Sequence, residues 1–150
     1  MTKIIYKIGD ACQSPERALV HGCNSLGYMN SGIARTIRNL WPNVYEVYRL
    51  KHQVFGLQLG EVIPVQTPDG RLIINAITQE LCGSDGKQYV SYDAIRTVFE
   101  TINSKTLDWG AKSVAMPRIG AGLGGGDWDT ISAIIEETSR DYQPIVYDLP

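Results

Sequence analysis

The chain has no run of lysine or arginine, and its 14 basic residues face 16 acidic ones. A formal net charge of −2 gives no general attraction to a polyanion, so a nucleic-acid partner is not expected. Cysteine is scarce. Cys12, Cys23 and Cys82 are odd in number and widely spaced, which excludes a disulfide framework and a zinc-ligand pattern and leaves reduced thiols. No apolar run approaches the ~20 residues of a membrane span. The opening Met1-Thr2-Lys3-Ile4-Ile5-Tyr6 reads as a strand and lacks the apolar segment of a secretory leader. These absences point to a cytoplasmic protein without a membrane partner. Internal repeats, low-complexity tracts and long linkers are missing too, so residues 1–150 are expected to form one domain. Neither a Walker A sequence nor a Gly-x-Gly-x-x-Gly fingerprint after the first strand is present, which removes those two routes to nucleotide binding.

What is present is an alternation of short apolar runs and helical patterns. Strands are expected at residues 4–8, closed by Gly9-Asp10, and at 18–21, a run too short for a helix. Further strands are expected at 60–65, 71–78, 113–117 and 145–149. Pro68-Asp69-Gly70 is a hairpin turn between the third and fourth. Helices are expected at 31–40, with Ile33, Ile37 and Leu40 at helical spacing, and from Pro42, carrying Val44, Val47, Tyr48 and Lys51. Two more are expected at 92–104, with Ile95, Val98, Phe99 and Ile102 on one face, and at about 128–138. This order predicts an α/β fold: three layers, with a central mixed, mostly parallel sheet and helices on both faces. Ligands of such sheets bind beyond the carboxyl ends of the strands, so the loops there matter most.

Two of those loops are rich in glycine. Asn24-Ser25-Leu26-Gly27-Tyr28-Met29-Asn30-Ser31-Gly32-Ile33-Ala34 follows a strand and enters a helix, whose free N–H groups and dipole suit an anion. Gly120-Ala121-Gly122-Leu123-Gly124-Gly125-Gly126 has five glycines in seven residues and also enters a helix, with Asp127 as a candidate N-cap. Each alone reads equally as a tight turn. Two in one small domain suggest a diphosphate held from both sides.

The motifs Gly9-Asp10, then Ala18-Leu19-Val20-His21-Gly22-Cys23-Asn24, then Ser31-Gly32-Ile33-Ala34 resemble the macrodomain pattern. Met116-Pro117-Arg118-Ile119-Gly120-Ala121-Gly122-Leu123 is similar to that family's second signature loop, and Val146-Tyr147-Asp148-Leu149 to its last strand. The resemblance spans nearly the whole chain. The His-x-Cys-Asn form is closest to the ADP-ribose-1″-phosphate phosphatase branch, and less close to the terminal ADP-ribose protein glycohydrolases.

This resemblance implies binding of ADP-ribose and hydrolysis of its 1″-phosphate, by a monomer without cofactor or metal. Asp10, with Ala11 beside it, would take the adenine amine, and Tyr147 would lie near the ring. Asn30, Ser31, Gly32, Ile33 and Ala34 would hold the phosphates from one side. Arg118, Ile119, Gly120, Ala121, Gly122, Leu123 and Gly124 would hold them from the other. Asn24 would face the terminal ribose, and His21 or Asp127 would activate water. Bland readings stand beside these: a solvated turn for Asp10, an Asx turn for Asn24, a buried structural His21, a helix cap for Asp127 and a half-buried strand tyrosine for Tyr147. Cys23, on the same side of its strand as His21, is a conceivable nucleophile or a small buried residue. Lys87, in the loop containing Gly83-Ser84-Asp85-Gly86, meets a phosphate or faces solvent, and His52 is expected to be solvated. Where the glycohydrolase branch has a nucleophilic lysine and an assisting aspartate, this chain has Gln79 and Gly124, which speaks against that mechanism. The alternatives are a non-catalytic reader of ADP-ribose, an ADP-ribosyl hydrolase acting on a macromolecule, and an unrelated phosphate-binding scaffold.

Overall fold

The computed structural model describes residues 1–83 and 85–150, and Ser84 lies outside the described residues. Six strands form one sheet: β1 (Ile5–Ile8), β2 (Ala18–Asn24), β3 (Val62–Gln66), β4 (Leu72–Gln79), β5 (Ser113–Met116) and β6 (Gln143–Asp148). Their spatial order is β1-β6-β5-β2-β4-β3, parallel throughout except for the β3–β4 hairpin. The expected turn at Pro68-Asp69-Gly70 makes that hairpin, with Gly70 at a φ of +90°. Among the described residues four α-helices cover the sheet: α1 (Gly32–Leu40), α2 (Pro42–Phe55), α3 (Tyr92–Trp109) and α4 (Trp128–Thr138).

The strand period of two sorts side chains between the faces. On one face Ala18, Val20, Ile74, Ala76, Val114 and Met116 meet α3 and α4 through Ile95, Val98, Phe99, Ile102, Ile131 and Ile135. On the other, Leu19, Cys23, Ile73 and Ile77 meet α1 and α2 through Ile37, Trp41, Val44 and Tyr48. Burial of a large apolar side chain contributes about 1.5–3 kcal/mol, so these two layers drive the fold.

Helix α3 and strand β2 run past the expected ends at residues 104 and 21. Helix α3 continues past 104 because Asn103 and Thr106, though polar, point inward. Asn103 Oδ1 accepts from the backbone N–H groups of Arg140 and Asp141. Gly110, at a φ of 66°, then closes the helix. Strand β2 continues past His21 because Gly22 and Cys23 keep register with Ala76 and Ile77 of β4. The register shifts between Cys23 and Asn24, where Asn24 pairs with Gln79 and Thr78 of β4 is the extra residue. His21 therefore lies three residues short of the strand end, about 10 Å down the strand.

Candidate functional site

At the carboxyl ends of β2, β4, β5 and β6, on both sides of the switch in strand order, lies a cleft of about 480 Å³. Tyr28 and residues 30–34 form one wall. Arg118, Ile119, Gly120, Gly122, Leu123 and Gly124 form the other. Gly22, Cys23 and Thr78 contribute to the floor, Asn24, Gln79, Cys82 and Gly83 to one end, and Tyr147, Asp148 and Leu149 to the other. The two loops come together at the mouth, where a Cβ on Gly32 would lie 3.8 Å from Leu123 Cδ1.

Asn24 organises the first loop. Its Oδ1 accepts from the N–H groups of Leu26 (3.0 Å) and Tyr28 (3.3 Å), and its Nδ2 donates to Tyr28 O at 2.9 Å. The buried Tyr48 hydroxyl lies 2.6 Å from Asn24 O and 3.0 Å from Oδ1. Asn24 is thus an Asx-turn residue that also lines the cleft, with one Nδ2 hydrogen left for a ligand. Gly27 takes a φ of +85° against the His52 ring, where a Cβ would lie 2.8 Å from Nδ1. His52 is accordingly partly buried beneath the loop, in place of the expected solvated position. Arg38 Nη1 donates to Asn30 Oδ1 at 3.1 Å, and its guanidinium lies 3.9 Å from the Tyr45 ring centroid. Ser31 precedes α1 with extended backbone and no side-chain cap bond. The first N–H groups of α1, with no acidic residue in that turn, remain available to an anion at the cleft wall.

The second loop uses its glycines differently from the sequence expectation. A Cβ on Gly120 would lie 2.9 Å from Val90 Cγ2, and one on Gly126 2.6 Å from Val90 Cγ1. A Cβ on Gly125 would collide with Lys87 O. Gly124 O accepts from Tyr89 N (2.7 Å) and Val90 N (3.0 Å). These glycines let the loop lie flat on residues 87–90. Gly122 has no heavy atom within 4 Å of its Cβ direction and opens to the cleft.

Several expected site residues lie elsewhere. His21 is fully buried; its Nε2 is 2.5 Å from Asn75 Oδ1, and desolvation lowers its pKa to about 4. It is a neutral core histidine that cannot reach a water in the cleft. Cys23 Sγ, 3.5 Å from His21 Nε2, lies on the same face as expected, but burial raises its pKa and keeps it a thiol. Asp127 is exposed and caps α4, accepting from Thr130 N at 3.0 Å and Thr130 Oγ1 at 2.7 Å, and it does not line the cleft. Asp10, Ala11 and Ala121 are also outside the lining. Asp10 Oδ1 accepts from Cys12 N at 2.9 Å and caps a 3₁₀ turn, Ala11–Gln13. Gly9 N donates to Asp148 O, so Asp10 stands next to the Tyr147–Leu149 end of the cleft. Lys87 is largely exposed, 3.8 Å from Asp85, and lines no part of the cleft.

At that same end, Tyr147 donates to Glu16 Oε1 at 2.5 Å, and burial followed by this bond raises its pKa to about 12. Arg118 pairs with both oxygens of Asp148, at 2.8 and 3.1 Å, and lies between the rings of Tyr6 and Trp128. The Arg118 guanidinium holds the Asp148 carboxyl below the usual carboxylate range. The cleft wall therefore presents backbone N–H groups and neutral amides rather than free cations. Sequence reading missed Cys82, Asp148 and Leu149 as lining residues; their position at or just past strand ends was the available signal. Among the described residues no cluster of three or more His, Cys, Asp and Glu is placed to hold a metal ion.

The Macro domain family model matches residues 20–135, and the chain belongs to that family. It is 31% identical over 151 aligned positions to the ADP-ribose glycohydrolase OARD1 of Bos taurus, covering 99% of this chain and 93% of that protein. It is 30% identical to the DNA ADP-ribosyl glycohydrolase of Mycobacterium bovis over 85% of this chain, but spans only 36% of that longer protein. A solved protein of unknown function from Bacteroides thetaiotaomicron superposes with a TM-score of 0.85 at 31% identity, covering 98% of both chains.

Proposed function

We propose that the cleft binds ADP-ribose. The observation that carries this reading is the convergence of two backbone-rich loops on one cleft, with Gly122 open to it and Leu123 close to Gly32 at the N-terminus of α1. Main-chain N–H groups from both sides suit a diphosphate, whose charge needs many short donors. The adenine end is assigned to Asp10 and Tyr147, and the terminal ribose to Asn24, Gln79 and Gly124. Similarity to a glycohydrolase of ADP-ribose over nearly the full chain supports the same ligand.

Gln79 and Gly124 meet at the terminal-ribose end. Gln79 Oε1 is 3.1 Å from where a Gly124 Cβ would stand, and its Nε2 donates to Leu81 O at 2.7 Å. A carboxamide offers no nucleophilic amine, so attack by a side-chain amine on the ribose is not part of this proposal. Removal of a 1″-phosphate is the second reading, favoured by the likeness of the His21-Gly22-Cys23-Asn24 motif to the phosphatase branch. With His21 and Asp127 outside the cleft, the water for either hydrolysis would rest between Asn24 Nδ2 and the ligand's own diphosphate. ADP-ribosylated macromolecules are the further substrate class in this proposal.

Calorimetry with ADP-ribose tests the binding, and it should bind more tightly than AMP. Phosphate release from ADP-ribose-1″-phosphate and ADP-ribose release from an ADP-ribosylated protein then separate the phosphatase, the hydrolase and the reader. Absence of any ADP-ribose binding would overturn the proposal.

A further inference from the structure

The 10–17 segment leaves the cleft end of β1 and crosses to the opposite end of the sheet, where β2 begins. Arg71, the residue before β4, holds it in place. Its Nη1 donates to Cys12 O at 2.8 Å, and its Nη2 donates to Glu16 O at 2.7 Å and to Ser14 Oγ at 3.0 Å. The guanidinium is partly buried and lies 5.6 Å from the Trp41 ring centroid. A planar fork with several donors fits three acceptors spread over five residues; a lysine ammonium on its flexible stem does not.

Both side chains assigned to adenine hang from this pinned segment. Asp10 Oδ1 is fixed by the N–H of Cys12, whose carbonyl Arg71 holds. Tyr147 is fixed through its hydroxyl by Glu16, whose carbonyl Arg71 also holds. Ser14 Oγ closes the turn onto Ala11 O at 2.7 Å. We infer that Arg71, which does not itself line the cleft, is a positioning residue that sets the adenine-reading edge by holding Asp10 and Tyr147 in register. The inference rests on the ADP-ribose reading above.

The test compares ADP-ribose with its hypoxanthine counterpart, inosine diphosphate ribose, which lacks the exocyclic amine that Asp10 would accept from. The wild type should prefer ADP-ribose by about tenfold, the value of one hydrogen bond to a charged group. In Arg71→Lys the preference should collapse to within about twofold, because the carboxylate is no longer held. A merely structural role would weaken both ligands equally and keep the ratio. An unchanged ratio in a folded Arg71→Lys protein overturns the inference. Should that variant fail to fold, Ser14→Ala removes one acceptor of the fork and should narrow the ratio by less; no narrowing overturns it equally. A wild type that binds both ligands without preference removes the Asp10 contact and this inference with it. A wild type that binds neither sinks the functional reading itself.

Discussion

Gly122 and Gly125 lie three residues apart in one loop, yet substitution should affect them in opposite ways. Gly122 has open space at its Cβ and a backbone that any residue adopts. Gly122→Glu should leave the fold intact and place a carboxylate in the cleft. A charge ~5 Å from one phosphate charge, at an effective dielectric of ~20, is repelled by about 3 kcal/mol. That corresponds to a loss of affinity of more than ~100-fold. Gly125 has a φ of +69° and lies on Lys87 O. Gly125→Ala should cost ~1–2 kcal/mol for the left-handed backbone alone, before the collision is counted. Its melting temperature should fall, and its binding should weaken only as far as the loop is displaced. Calorimetry with ADP-ribose and thermal melts on both variants give the comparison. A Gly122→Glu protein that binds normally, or one that melts as low as Gly125→Ala, would refute the division between cleft-facing and packing glycines.

Other outcomes follow from the same geometry. Asp127→Ala should cost about 1 kcal/mol in stability through loss of the α4 cap while ADP-ribose affinity stays unchanged, as melts and calorimetry would show. His21 has a folded-state pKa of about 4, below its unfolded value, so the stability it carries is complete above about pH 6.5 and drains as pH falls toward 4. Melting curves from pH 7 to 4.5 should show this decline, and it should shallow in His21→Gln. Tyr48→Phe removes the hydroxyl beside Asn24 and should lower ADP-ribose affinity about three- to tenfold, one neutral hydrogen bond's worth, by loosening the first loop.

Much of the fold was legible because local chemistry and the tertiary structure agree. The α4 bounds, the Pro68-Asp69-Gly70 hairpin and the inward face of α3 follow from caps, turn residues and spacing. The ends of β2 and α3 were not legible, since Gly22, Asn103 and Thr106 carry no apolar signal and are kept in their elements by partners distant in sequence. That hidden length misplaced His21: an end at residue 21 puts it at the loops, and an end at Asn24 puts it in the core. The loops themselves were legible as a pair. Which glycines open to the cleft was not, because the 87–90 segment that packs on Gly124, Gly125 and Gly126 has no marking in the sequence. Tyr147 and Asp10 enter as proposed adenine contacts through family resemblance, whereas Arg71, which holds their segment, stands about sixty residues away from Asp10 in the sequence.

Titration of isotope-labelled protein with ADP-ribose, followed through the backbone amide resonances, shows whether both loops meet one ligand. Saturable shifts should concentrate in residues 28–34 and 118–124, with smaller ones near 10 and 147–149. Saturation with those two stretches unmoved, or with shifts confined to a surface away from the strand ends, would contradict this.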